Sequence, residues 1–356
     1  NFYNIPKINI QDLGFKVDIK KIFFLFKNLK FIQKFSFFKL ILSYFIFINI
    51  IQIEKNINAL KKLKKLKLIY CDFDIIFPKN ILLACDILKI KTLSIQERYL
   101  ANNLMVPLFY NYYLVTGNNY EKMFKNSGYV VDKYFKTGIL RNLSNLNYKK
   151  VNLKKEVIRL KKITKKKVLC LGLYVRDNYF TCVEGENGTS IKNNITFFSE
   201  IINLAENFKN LHFIIRNKID SQIDLLPEEI FDKIKKIENI EFNNITNNIN
   251  IYELLGLSSF VIGRYSSVIE ESLSEGIEAI IYDECNFFES ISKYHPNSKI
   301  LTVKNRKDLM KYVNNFNEGK DNYDDDFKKE IKNSFSGNFE NMNSKDKIQK
   351  IINELI

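Results

Sequence analysis

Residues 258–283 read SSFVIGRYSSVIEESLSEGIEAIIYD, and the fold class of the 356-residue chain follows from them. Phe260-Val261-Ile262 is a short apolar run of the kind buried in a parallel sheet, where both faces are covered. Gly263 ends the run and permits a tight turn. Ser266 and Ser267 then stand where a helix begins. From Ser267 the order Ser-Val-Ile-Glu is a capping-box pattern, in which a hydroxyl and a glutamate satisfy free N–H groups of the first turn. Val268, Ile269, Ser272 and Leu273 give the helix an apolar side, and Gly276 stops it. Ala279-Ile280-Ile281-Tyr282 is a second short strand. The unit is strand–helix–strand, so the two strands are parallel and the serines lie at the carboxyl end of the first.

That end is where open parallel sheets bind ligands. A helix N-terminus there presents free N–H groups and the positive end of a dipole to an anion. The two hydroxyls add donors. Glu271, one turn in, is placed to accept hydrogen bonds from ribose hydroxyls. On these residues alone two readings stay open: a phosphate-binding turn, or a capped helix with Glu271 in solvent.

The order strand, Ser-Ser, glutamate four residues after the second serine, glycine, strand resembles the donor-binding segment of GT-B glycosyltransferases. It is similar to the matching segment of nucleotide-sugar 2-epimerases and of bacterial capsule and lipopolysaccharide transferases. The resemblance implies that Ser266 and Ser267 contact the nucleotide phosphates and that Glu271 holds the ribose. Two positions depart from the pattern. Ser272 stands where alanine is usual, and Ile277-Glu278 follow the glycine where Lys-Pro or Ile-Pro is frequent.

Composition agrees with a two-domain α/β protein. The length exceeds one ordinary core, and 46% of the residues are apolar. The formal charge of +15 favours anionic partners such as phosphorylated sugars or acidic lipid headgroups. No nucleic-acid-binding motif accompanies the charge, so nucleic acid is not an expected partner. Five scattered cysteines and two histidines form no metal-ligand spacing; neither a metal nor another cofactor is expected, and the thiols read as buried and reduced. The most apolar run, Leu40 to Ile51, is too short to span a bilayer, which needs about 20 residues. A core helix or strand is the expectation there. The other reading is a membrane-resting face, helped by Lys21, Lys27, Lys30, Lys34 and Lys39.

The first half of the chain alternates strand and helix. Strands are expected at 68–70, 92–95, 112–116 and 134–137, with helices at 79–89 and 119–127. Polar or glycine residues follow each strand, the pattern of a doubly wound parallel sheet. The segment Thr-x-x-x-Gln-Glu-Arg, then Tyr-Tyr-Leu-Val-x-Gly, then Gly-x-x-Arg resembles the acceptor domain of bacterial surface-polysaccharide transferases over about residues 68–142. It implies acceptor-side roles for Gln96, Arg98 and Arg141. Transfer with inversion needs a base for the acceptor proton, and Asp72, Asp74 and Glu97, each at an expected strand end, are the candidates, with Glu97 favoured for its place in the matched Gln-Glu-Arg segment. The literal Asp-x-Asp at Asp72-Phe73-Asp74 stands in the wrong half for a donor metal.

The basic stretch 147–167 reads as a linker. It divides an acceptor domain at 1–146 from a nucleotide-sugar domain at 168–343, and an amphipathic helix at 344–356 returns to pack elsewhere. In the second domain Gly172, Arg216 and Lys218 follow strands, and the resemblance places a phosphate-binding base near the latter two. The long segment Tyr174 to Lys192 is a loop of the functional kind. The expected function is transfer of a sugar from a nucleotide-sugar donor to a glycan or lipid-linked acceptor, in the cytoplasm and peripheral to the inner membrane face, with contact to anionic lipid. Its rivals are a nucleotide-sugar 2-epimerase, a polyol-phosphate transferase and a non-catalytic basic binding protein.

Overall fold

A computed structural model describes residues 37–71, 77–96, 108–126, 129–140, 151–172, 191–217, 226–243, 246, 248–264, 266–284, 300–335, 342 and 344–355. Helix α1 (Phe37–Lys61) leads into the first sheet. That sheet contains β1 (Leu68–Cys71), β2 (Lys91–Ile95), β3 (Phe109–Val115) and β4 (Val130–Lys136), in that spatial order and all parallel. Helix α2 (Lys79–Ile87) joins β1 to β2, and α3 (Asn118–Asn126) joins β3 to β4. Helix α4 (Val151–Lys162) leads to the second sheet.

The second sheet begins with β5 (Lys166–Leu171), α5 (Ile191–Asn207), β6 (Leu211–Arg216), α6 (Glu228–Lys236) and β7 (Ile240–Glu241). It continues with α7 (Ile251–Leu257), β8 (Phe260–Gly263), α8 (Ser267–Ser274), β9 (Glu278–Tyr282) and β10 (Thr302–Val303). Helices α9 (Arg306–Asn317), α10 (Asp325–Phe335) and α11 (Ser344–Leu355) close the chain. The spatial order is β10-β9-β8-β5-β6-β7, again all parallel. From β5 the chain builds outward through β6 and β7, then returns to build through β8 to β10 on the other side. The carboxyl ends of β5 and β8 therefore flank a topological switch point, where no crossover covers the crevice.

The physical reason for this architecture is the run of fully apolar strands. Val168 to Cys170 and Phe260 to Ile262 are buried throughout, which requires helices on both faces. One face packs Phe197, Phe198 and Ile201 of α5 against Phe213 and Phe260. The first sheet has an aromatic core, with Tyr113 edge-on to Phe124 at 5.3 Å and Phe124 stacked on Tyr129 at 4.9 Å. Its opposite face is covered by α11, where Ile351 packs with Leu93, Leu114 and Phe135. The tail thus returns to the first domain, as its amphipathic pattern implies.

One reading needs correction. The run 40–51 lies in the 25-residue α1, but Tyr44, Phe45, Ile46 and Ile48 are exposed rather than core. The second half of the helix is covered, where Ile57 and Leu60 pack with Ala84 and Cys85. The basic stretch 147–167 contains α4 and the start of β5. Its charge hides a helix anchored by fully buried Leu160 and by Arg159, whose guanidinium pairs with Glu156 and Glu241, each at 2.6 Å. Burial pushes the Glu241 carboxyl up, but the neighbouring His212 and Arg159 outweigh it and hold the group below its ordinary range. The acidic segment before α10 extends into that helix, because Asp324 Oδ1 accepts from Phe327 N at 2.7 Å and starts it.

The two sheets meet through α3, α8 and α10. The Tyr120 hydroxyl of α3 donates to Glu270 Oε1 of α8 at 2.7 Å, and both residues are fully buried. Phe335 of α10 packs on the Tyr120 ring at 5.8 Å, and Asn119 Nδ2 donates to Ser334 Oγ at 2.6 Å. Helices α3 and α8 each begin just past the carboxyl end of their strand, so this contact turns the carboxyl edges of the sheets toward each other. Replacing Tyr120 with Phe keeps the ring and removes a hydrogen bond to a buried carboxylate. The expected cost is roughly 1.5–3 kcal/mol, read as a lowered urea midpoint; an unchanged midpoint means the contact does not hold the domains.

Candidate nucleotide site at the switch point

The crevice at the switch point is lined from three strands. Leu171 is in register with Gly263 on one side and with Arg216 on the other. Gly172 follows β5, and its N–H donates to Arg216 O at 2.9 Å. A Cβ on Gly172 would sit 2.1 Å from Asn217 Oδ1, so the Asn217 side chain lies where any other residue would put carbon. Asn217 is 1% exposed, and Arg216 Nη1 donates to its carbonyl at 2.7 Å. The expected Gly172 and Arg216 thus lie together at the carboxyl edge, with Arg216 folded against its own strand end.

Past β8 the chain makes the turn expected of an anion site. Ser266 has extended backbone (φ −147°, ψ 136°), and its Oγ accepts from Val268 N at 3.3 Å. Ser266 is therefore the N-cap and Ser267 the first helical residue, one position earlier than the capping-box reading had it. That shift makes Ile269 the third helical residue, so the glutamate of the expected box falls one position late; its carboxylate accepts from the Tyr120 hydroxyl across the domain boundary. Gly276, at φ +76°, ends the helix in the left-handed conformation. Glu271 is 2% exposed, so the solvated reading of that residue fails.

Sequence reasoning missed Arg264, Glu284 and Lys347. Arg264 directly follows β8 and is 4% exposed; its Nη2 lies 2.7 Å from Glu284 Oε1, just past β9. Burial pushes the Glu284 carboxyl above its ordinary range, against the pull of Arg264. A guanidinium paired with a carboxylate and a helix N-terminus thus lie within four residues of sequence at this edge. The signal for Arg264 was its place immediately after the strand. Lys347 of α11 donates to Thr137 O at 2.8 Å, just past β4, and burial lowers its pKa. Only the return of the tail puts it there.

On the first sheet Gln96 follows β2 and is 5% exposed. Its Oε1 accepts from Thr116 N at 3.0 Å and from Thr116 Oγ1 at 3.2 Å, tying the ends of β2 and β3 together. Asp72, Asp74, Glu97, Arg98, Arg141 and Lys218, like most of the loop 174–192, lie outside the described residues. Cys71, Cys85 and Cys170 are buried free thiols, and burial pushes the Cys85 thiol up to about 12, which removes its reactivity.

No protein-family model matches this sequence, and no curated protein matches it. The fold does have solved relatives. S. aureus MnaA, in a co-structure with UDP, superposes with a TM-score of 0.52 at 12% identity, covering 87% of this chain and 82% of that one. The UDP-GlcNAc 2-epimerase of Neisseria meningitidis, bound to UDP-GlcNAc, gives 0.50 at 15% identity over 86% and 81%. A putative UDP-N-acetylglucosamine 2-epimerase from Listeria monocytogenes gives 0.50 at 12% identity over 85% and 80%. The chain has the GT-B fold: two α/β domains with parallel sheets on either side of a cleft.

Two substitutions test this geometry. Gly172→Ala should cost about 1–3 kcal/mol through overpacking against Asn217. In an Asn217→Ala background the same change should cost less, a coupling read from a double-mutant cycle; additive costs would place the strain elsewhere. Ser266→Ala should lower the urea midpoint by about 1 kcal/mol through loss of the cap, and Ser267→Ala by far less. The reverse ranking would return the cap to Ser267.

Proposed function

We propose that the chain is a nucleotide-sugar enzyme, and specifically a glycosyltransferase that passes a sugar to a surface glycan of the capsule or lipopolysaccharide kind. The observation that carries the proposal is the switch point: Gly172, Arg264 and the N-terminus of α8 lie at the carboxyl ends of β5 and β8, from which the chain builds to opposite sides of the sheet. A nucleotide phosphate there meets the Ser266 and Ser267 hydroxyls, the free N–H groups of the first turn and the helix dipole. The Glu271 carboxylate takes the ribose hydroxyls. Lys218, by its sequence position two residues past β6, adds charge for the phosphate.

In the transfer, an acceptor hydroxyl oxygen attacks the sugar's anomeric carbon. The bond from that carbon to the phosphate oxygen breaks, and the nucleotide leaves with the electron pair. The dipole of α8 and the basic residues at this edge stabilise the leaving phosphate. Glu97 or Asp74, which follow β2 and β1 in sequence, takes the acceptor proton. Gln96, Arg98 and Arg141 belong to the acceptor side.

Epimerisation at the sugar's C2 is the second reading, favoured by the solved relatives named as 2-epimerases. It requires acid and base groups on the sugar itself, and the cleft is poor in histidine. His212 begins β6 at the opposite edge, 3.7 Å from Glu241, which leaves His295 as the sole remaining imidazole. Product analysis separates the two. An epimerase interconverts the nucleotide sugar without acceptor, whereas a transferase releases nucleotide only when acceptor is present. Thermal shifts with CDP, CMP, UDP and GDP sugars identify the donor first, since a ligand of the native state raises apparent stability.

Glu271→Gln keeps the shape and loses the charge. It should weaken a ribonucleotide by roughly 1.5–3 kcal/mol while leaving the 2′-deoxyribonucleotide nearly unchanged, as measured by calorimetry. Equal affinity of mutant and wild type for the ribonucleotide would remove Glu271 from the site.

A further inference from the structure

Within α1, residues 44–49 are mostly left uncovered by the described residues of the fold. Tyr44, Phe45, Ile46 and Ile48 are exposed at 61%, 57%, 46% and 42%, on a helix whose later residues Asn56, Ile57, Ala59 and Leu60 are buried. At about 100° of rotation per residue, the exposed positions 44, 45, 46, 48 and 49 sweep roughly 200° of the circumference. Half-buried Phe47 and Ile50 occupy the rest. Asn49 is the polar member of the exposed arc, and its Nδ2 donates to Phe45 O at 2.8 Å, which turns its donor back onto the helix. Apolar residues scattered singly are ordinary surface; a contiguous arc of this width marks an interaction site.

The charge beside the arc is one-sided. The residues before it carry lysines from Lys7 to Lys39 against Asp12 and Asp18, and those after it run Lys61, Lys62, Lys64, Lys65 and Lys67. No helix among the described residues is long and apolar enough to cross a membrane.

We propose that the first half of α1 lies in the plane of an anionic bilayer surface, with Tyr44, Phe45, Ile46 and Ile48 at the boundary of headgroups and acyl chains. Two observations select this occupant over a second copy of the chain. A second copy carries the same +15 charge and repels the first, whereas acidic headgroups attract the flanking lysines. A flat protein face covers about half a helix, whereas a bilayer admits a helix until a wide arc is covered. The proposal does not depend on the donor reading.

The chain contains no tryptophan, so Phe45→Trp supplies a single reporter. Its emission should shift to the blue when the full chain meets vesicles of phosphatidylcholine mixed with phosphatidylglycerol, shift less with phosphatidylcholine alone, and be quenched by brominated acyl chains. Raised salt should reverse part of the shift. The double substitution Phe45→Ser and Ile48→Ser should lower the vesicle-bound fraction about tenfold, with an unchanged urea midpoint as the sign of an intact fold. No shift with either vesicle overturns the proposal. So does vesicle binding by the double variant equal to wild type. An emission already blue in buffer, and dependent on protein concentration, assigns the arc to a second copy instead.

Discussion

A buried carboxylate must find a partner, and Glu270 finds it in the other domain. The Tyr120 hydroxyl meets it at 2.7 Å, with the Phe335 ring closing over the contact. Much else is arranged around this bond. It fixes α8, whose first turn is the proposed phosphate site, against α3, whose first turn stands at the carboxyl edge of the other sheet. The carboxyl edges of the two sheets are therefore tied by one residue pair. Removing either group would leave the other to bear a desolvation cost, because both are fully buried.

The cap at α8 stands one residue before the Ser-x-x-Glu spacing. With Ser266 as the cap, the third helical residue is Ile269, so no carboxylate stands where a capping box needs one. Glu270, one residue later, turns instead to Tyr120, and Ser266 Oγ accepts from Val268 N at the helix start.

The second sheet was legible because its strands are buried on both sides. Phe260-Val261-Ile262 and Val168 to Leu171 admit no other reading once glycine and serine punctuation follows them. The places of Gly172 and Ser266 in the fold were legible for the same reason: strand ends fix the carboxyl edge. The cap was misplaced by one residue, because two adjacent serines offer the same hydroxyl and nothing local ranks them. The charge of 147–167 concealed a helix, held by one buried leucine and one arginine paired twice. Arg264 and Glu284 sit on opposite sides of α8 in sequence, and only the register of β8 with β9 makes them a pair.

The interdomain packing constrains how the cleft can work. One continuous apolar cluster contains Tyr113, Tyr120 and Phe124 of the first domain with Leu169, Val261 and Ile269 of the second, and α10 contributes Phe327, Ile331 and Phe335 to it. A hinge that swung the domains apart at this point would expose those rings and strip Glu270 of Tyr120 together. The cost would fall on one step, because the hydrogen bond and the ring contacts break at the same place. Sliding of α3 along α10 keeps the rings covered and the carboxylate paired over small displacements. Shear at this seam is the motion the packing permits.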